Sequence, residues 1–278
     1  MRPLLVVDGD SLAHRAYHAL PKTIRGGGGR AANAIVGFTN MLVSLWEAES
    51  PRSIVVGWDT LEAPTYRHEA FPAYQAGREF DDALLEQLEC LPTLVRALGF
   101  VAAKEPGYEA DDFLAAAVRS ELARGGSALV ATSDRDAFQL VSDRCTVLRL
   151  VRGVSEIERV DPPRVHELYG VEPAQVPDFV ALRGDPSDRL PGAPGVGPKK
   201  AAEILRRFGS LEDALAAGRF SAVADELRLY RRIAAMDADA PLPEVPDAVP
   251  TWRDAAELLR SWGVAQLAGR LEQRAAAG

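Results

Sequence analysis

The chain has 278 residues, 47% of them hydrophobic and 26% charged, with a net charge of −8 at pH 7. That is ordinary globular composition, and its longest apolar runs, such as PLLVV at 3–7, fall far short of the roughly 20 residues a bilayer span needs. The start lacks the charged segment and cleavage site of a secretory leader, and the acidic balance argues against polyanion binding by the whole surface. Cys90 and Cys145 have no CxxC partner, so both are expected as reduced, buried thiols of a cytoplasmic protein.

In chain order, LLVVD (4–8) reads as a short buried strand followed by a helix to about residue 19. GGGG at 26–29 lacks the GK[ST] ending of a phosphate loop and follows no strand, so a flexible loop is expected there. Residues 31–48 read as a helix and SIVVGWD (53–59) as a second buried strand. The stretch TLEAPTYRHEAFPAYQAGREF (60–80) is aromatic, basic and aperiodic, which in a connection this long points to a lid or binding loop. Leu84, Leu88, Leu91, Val95 and Leu98 recur at helical spacing around Pro92. FVAAK, SALVA and CTVLRLV are further short strands, and the alternation of strand and helix to about residue 150 predicts an α/β fold with a mostly parallel sheet flanked by helices. Beyond about 160 no strand is predicted. Ala201, Ile204, Leu205 and Phe208 mark an amphipathic helix ended by Gly209, and a proline-rich linker (237–250) leads to a last helical pair.

GYEADD (107–112) sets three carboxylates ahead of an apolar run. One of them would cap a helix; three compete for the same donors and repel one another, which favours a nearby cation. In a parallel sheet the loops at the carboxyl ends of the strands gather at one edge. Asp8 and Asp59 end the first two strands, Glu109, Asp111 and Asp112 follow the third, and Asp134 and Asp136 follow SALVA. Asp185 and Asp188 open the helical part. These nine acids, with no histidine or cysteine in ligand spacing, suit two or more Mg²⁺ or Mn²⁺ ions rather than zinc. His14, His18, His68 and His166 are assigned structural or surface positions.

Between residues 183 and 210 six Lys or Arg (183, 189, 199, 200, 206, 207) face three acids (185, 188, 203). Within that strip, GAPGVGPKKAAEILRRFG (192–209) places Gly195 and Gly197 where a tight turn can present backbone amides to a phosphate, with Lys199 and Lys200 one turn in. GVGPKKA between two short helices is the signature of a helix-hairpin-helix that contacts DNA backbone.

The N-terminal DG, the WD after strand two, YRHEAFPAYQAGR, GYEADD, TSDRDAFQLVSD and GDPSDRLPGAPGVGPKKA occur in the order seen in bacterial 5′→3′ exonucleases. From about residue 4 to 217 the sequence resembles the 5′-nuclease domain of DNA polymerase I and the wider flap endonuclease family. No polymerase follows in the sequence, so the resemblance is to a free-standing form. It implies a PIN-like nuclease core (1–175) with an arch over the active site (60–81) and a helical DNA-binding region (176–278) carrying the hairpin. It also implies metal-dependent cleavage of phosphodiesters near single-to-double-strand junctions, leaving 5′ phosphates. The substrates would be DNA with 5′ ends, flaps or nicks, RNA primer strands among them; a cytoplasmic protein is expected, and on oligomeric state the sequence is silent, with a monomer as the default expectation. By the same resemblance, Asp8, Glu109, Asp111, Asp134 and Asp136 would form one metal cluster. Asp59, Asp112, Asp185 and Asp188 would surround the second metal or its waters. Arg67 and Arg78 would contact phosphates and Tyr74 would stack on a base. The sequence departs from the family at Gln75, where most relatives carry lysine, and at Arg189, where asparagine is common. Two other readings stand beside this one. A haloacid-dehalogenase phosphatase shares VVDGDS and GDPSD, but its required lysine is absent, none lying between Lys104 and Lys199. A DNA-junction binder that does not cut is the second.

Overall fold

The computed structural model describes residues 1–77, 80–152 and 156–277; Arg78 lies outside them. Strand β1 (Leu4–Asp8) runs directly into helix α1 (Gly9–Ala19), and α2 (Asn33–Glu49) leads to β2 (Ser53–Gly57). A long connection holds the short α3 (Tyr66–Ala70), followed by α4 (Asp82–Ala97), β3 (Val101–Ala103), α5 (Ala110–Ala123) and β4 (Ala128–Thr132). Strands β5 (Cys145–Arg152) and β6 (Glu156–Val160) complete a sheet of order β3-β2-β1-β4-β5-β6, parallel except for the antiparallel β6. Then come α6 (Pro162–Tyr169), α7 (Val176–Arg183), α8 (Pro198–Phe208), α9 (Leu211–Ala216), α10 (Ala224–Ala234), α11 (Trp252–Ser261) and α12 (Ala265–Ala277).

Successive strand residues point to opposite faces, and here both faces are buried. Leu4 and Val6 pack with α5 and the helical region through α10, whereas Leu5 and Val7 pack with α1, α2, α4, α11 and α12. Within the region expected to be helical at 176–278, Ala255, Leu259, Leu267 and Leu271 of α11 and α12 lie against the α/β core, on the face away from α7–α10. The loop expected at GGGG is also ordered by this packing. Residues 27–29 form a 3₁₀ turn, the Gly27 amide donates to the Trp262 carbonyl at 2.7 Å, and a Cβ on Gly26 would lie 2.6 Å from that carbonyl. Strand β6, which the sequence reading lacks, is an edge strand in which Glu156 and Arg159 are exposed, Ile157 and Glu158 half-buried and only Val160 buried, so it gives no buried run.

Order 3-2-1-4 means that the chain reverses direction across the sheet between β1 and β4. Crevices beyond the carboxyl ends of strands form at such a reversal. No described helix is long and apolar enough to cross a membrane.

Candidate active site

A pocket of about 880 Å³ opens at that edge, lined by Asp8, Asp59, Glu109, Asp111, Asp134, Asp136 and Asp185. Asp8 caps α1, accepting from the Ser11 amide at 2.9 Å, while its other oxygen accepts from the Thr132 hydroxyl at 2.7 Å. The same Thr132 oxygen accepts from the Asp134 amide, and Asp134 Oδ1 accepts from the Asp136 amide at 2.8 Å. Asp59 Oδ1 accepts from the Ala110 amide at 2.8 Å, which draws the start of α5 onto the end of β2. Gly57 permits that approach: a Cβ there would sit 2.7 Å from the Ala110 carbonyl. Asp185 accepts from the Ser187 amide and from Arg183, and bridges to Leu190 across the turn after α7. Asp188 is not a lining residue; it accepts from Gln75 Nε2 at 3.0 Å.

Three sequence assignments are corrected here. Asp112 is fully buried and faces away from the pocket, where it accepts two bonds from Arg67, so it is not available to a metal. Arg67, 3% exposed, is therefore occupied and cannot reach a phosphate. Tyr74, 4% exposed, donates to Glu109 Oε2 at 2.9 Å and offers no ring face to a base. His14, assigned to structure or surface, lines the pocket against Phe80. The sequence reading also passed over Asp10, which lines the pocket and accepts from the Asp59 amide at 2.7 Å. Its signal was the second acid of VVDGDS, one turn into α1.

Crowded carboxylates hold their protons. Burial, with Asp59 and Asp134 adding repulsion, pushes Asp8 up to about 7. Burial and neighbouring acids likewise raise Asp10, Asp111 and Asp136 well above the ordinary carboxylate range. Among the described residues no three such side chains are closed into a ready coordination shell. The donor set is carboxylate oxygen throughout, which fits hard divalent ions.

A pH dependence follows. A metal ion held by Asp8 would displace its proton, and one held by Asp111 or Asp136 as well would displace theirs, so affinity is expected to rise at least tenfold per unit below pH 7. Without metal the sign reverses for stability. The folded chain keeps a proton that the unfolded chain releases near 3.8, so this group's contribution falls as pH rises from about 4 to about 7. Mn²⁺ calorimetry from pH 5.5 to 8 checks the first statement, and a pH-independent affinity would refute it.

The helix-hairpin-helix signature falls between α7 and α8. Gly195 has φ +70°, and neither it nor Gly197 has any atom within 4 Å of where a Cβ would stand, so the turn is open to a ligand's close approach. Lys199 and Lys200 are exposed at the start of α8, with Lys200 Nζ 3.3 Å from the Gly195 carbonyl.

The α/β core, its carboxylate pocket and the appended helical hairpin define a nuclease-like architecture. A family model of the 5′-3′ exonuclease N-terminal resolvase-like domain matches residues 3–170, and one of the 5′-3′ exonuclease C-terminal SAM fold matches 171–256. The chain belongs to the 5′-3′ exonuclease family. DNA polymerase I of Mycobacterium bovis is 41% identical over 262 residues, covering 88% of this chain and 28% of that protein. The Mycobacterium leprae polymerase is 45% identical over 211 residues, covering 75% and 23%. This chain thus spans less than a third of these relatives. A bacteriophage T5 flap endonuclease, solved with DNA and metal ions, shares the fold with TM-score 0.70 at 19% identity over 98% of both chains.

Proposed function

We propose that this protein hydrolyses phosphodiester bonds in DNA bearing 5′ ends, flaps or nicks, with divalent cations held among Asp8, Asp59, Glu109, Asp111, Asp134, Asp136, Asp185 and Asp188. The observation that carries this reading is the convergence of carboxylates from four strand ends and the turn after α7 on one pocket, in a chain of the 5′-3′ exonuclease family. Bound Mg²⁺ would lower the pKa of water and neutralise charge on the scissile phosphate. The chain's own groups do the rest. Thr132 and the Ser11 amide orient Asp8, the Ala110 amide orients Asp59, and Tyr74 with Thr65 orients Glu109. Arg183 and Arg135, which line the pocket, supply positive charge toward a phosphate. A 5′-labelled flap duplex, incubated with and without Mg²⁺ beside blunt, nicked and RNA-primed substrates, tests this. Binding without Mg²⁺-dependent cleavage would favour the non-cutting junction binder, the reading that the neutral Gln75 leaves standing.

Gln75 Nε2 donates to both the Tyr74 hydroxyl and Asp188, where a cation would face the substrate phosphate. Gln75→Lys is expected to raise the single-turnover rate with little change in affinity. An unchanged or lower rate would assign that charge to Arg183, Arg135 or Arg189.

The hairpin at 192–209 is assigned to the duplex backbone. Replacing both Lys199 and Lys200 by Ala is expected to weaken flap binding equally across sequences. Each lost phosphate contact flattens the log K against log salt slope by about 0.9. At saturating DNA the cleavage rate should stay near wild type. Salt titrations in Ca²⁺ measure the slopes; identical slopes would remove the lysines from the interface.

A further inference from the structure

Arg67 stands on α3, in the connection that crosses the pocket, yet its guanidinium is buried and fully used. Two of its nitrogens bond the two oxygens of Asp112 at 2.9 and 2.7 Å, and Nη1 lies 3.3 Å from Glu109. Its remaining donors go to carbonyls at the end of α10, with Nε 2.9 Å from Ile233 and Nη2 3.3 Å from Ala235. Asp112 extends the same link, because it also accepts from the Asp237 amide at 2.8 Å and from the Glu109 amide at 3.1 Å. Desolvation disfavours the buried cation, but the carboxylates of Asp112 and Glu109 outweigh it and keep Arg67 charged. One planar fork therefore joins three segments: the loop over the pocket, the N-terminus of α5 with Glu109 and Asp111, and the last turn of α10.

We infer that Arg67 is a positioning residue that locks the carboxylate-bearing start of α5 to the helical region, so that Glu109 and Asp111 are held from outside the sheet as well as from within it. This rests on the reading of Glu109 and Asp111 as metal ligands. Lysine has the charge but not the fork, and cannot bond both Asp112 oxygens and two carbonyls at once. Loss of groups that orient metal ligands typically weakens metal binding 10–100-fold.

The test uses Arg67→Lys and, because a lone neutral substitution would strand the Asp112 charge, the double variant Arg67→Met with Asp112→Leu. Mn²⁺ binding is measured by calorimetry without DNA, and flap binding by salt titration in Ca²⁺. Both variants are expected to bind Mn²⁺ at least tenfold more weakly than wild type, with an unchanged salt slope. Wild-type Mn²⁺ binding in either variant overturns the inference. So does a salt slope flattened by about 0.9 in the double variant, the mark of a lost phosphate contact that lysine would preserve. Asp111→Asn separates the two layers. Normal Mn²⁺ binding by that variant means the ligand reading itself has failed. Weak binding there, beside normal binding by Arg67→Lys, means that only the positioning role has failed.

Discussion

Asp134→Ala is expected to slow flap cleavage at saturating Mg²⁺ by 100-fold or more, about 3 kcal/mol in the barrier, while leaving the fold within about 1 kcal/mol of wild type. The two halves of this result have one cause. Asp134 is exposed to the pocket, and its charge raises the proton affinity of Asp8, Asp111 and Asp136. Removing it deletes the bond from the Asp136 amide but relieves repulsion among the acids that remain. Its charge among these acids suits a role with cations, whose binding would offset the repulsion. Single-turnover cleavage of a labelled flap and denaturant unfolding measure the two halves. Wild-type turnover would remove Asp134 from the site, and a marked loss of stability would make it a structural residue.

The largest effect on stability is expected at the opposite end of the sheet. Arg52, just before β2, is buried against Glu121 of α5, with Nη2 2.5 Å from Oε2. Its Nη1 reaches the Val245 carbonyl and Asp247, which fastens the proline-rich segment between α10 and α11 to the core. Asp247 is largely exposed, so its pair with Arg52 contributes little. Glu121 is different: at 2% exposed it has no water to replace its partner. Arg52→Met should cost about 3–5 kcal/mol by stranding that carboxylate, and adding Glu121→Met should recover most of the loss. Urea unfolding of both variants decides the matter. A loss below about 1 kcal/mol in the single variant would mean that Glu121 finds another partner.

The parallel sheet was legible because its strands are short apolar runs bounded by polar turns, and a strand buried on both faces has to read that way. Seven of the nine chosen acids line one pocket for a related reason: each stands just past a strand or helix end, and chain topology carries those ends to one edge. Where partners come from distant segments, local pattern was silent. α11 and α12 have the periodicity of any amphipathic pair, and nothing in it says which face of the core they cover. Gly26 and Gly27 sit in a run with no local constraint, yet the Trp262 carbonyl, far off in the chain, lies against both.

The clearest division falls within GYEADD. The sequence by itself determined that a helix starts there and that it carries more negative charge than a cap needs. It could not apportion that charge, because neighbouring helical residues point about 100° apart and only one direction faces the pocket. Asp111 opens into it, while Asp112 turns inward to an arginine 45 residues away in the chain. Tertiary structure likewise decided the fates of Arg67 and Tyr74. A basic or aromatic side chain in a polar loop has the composition of a nucleic-acid contact whether it faces water or the interior. Only the packing of α3 and α10 around Asp112 and Glu109, which brings opposite charge within bonding distance, turns this arginine inward.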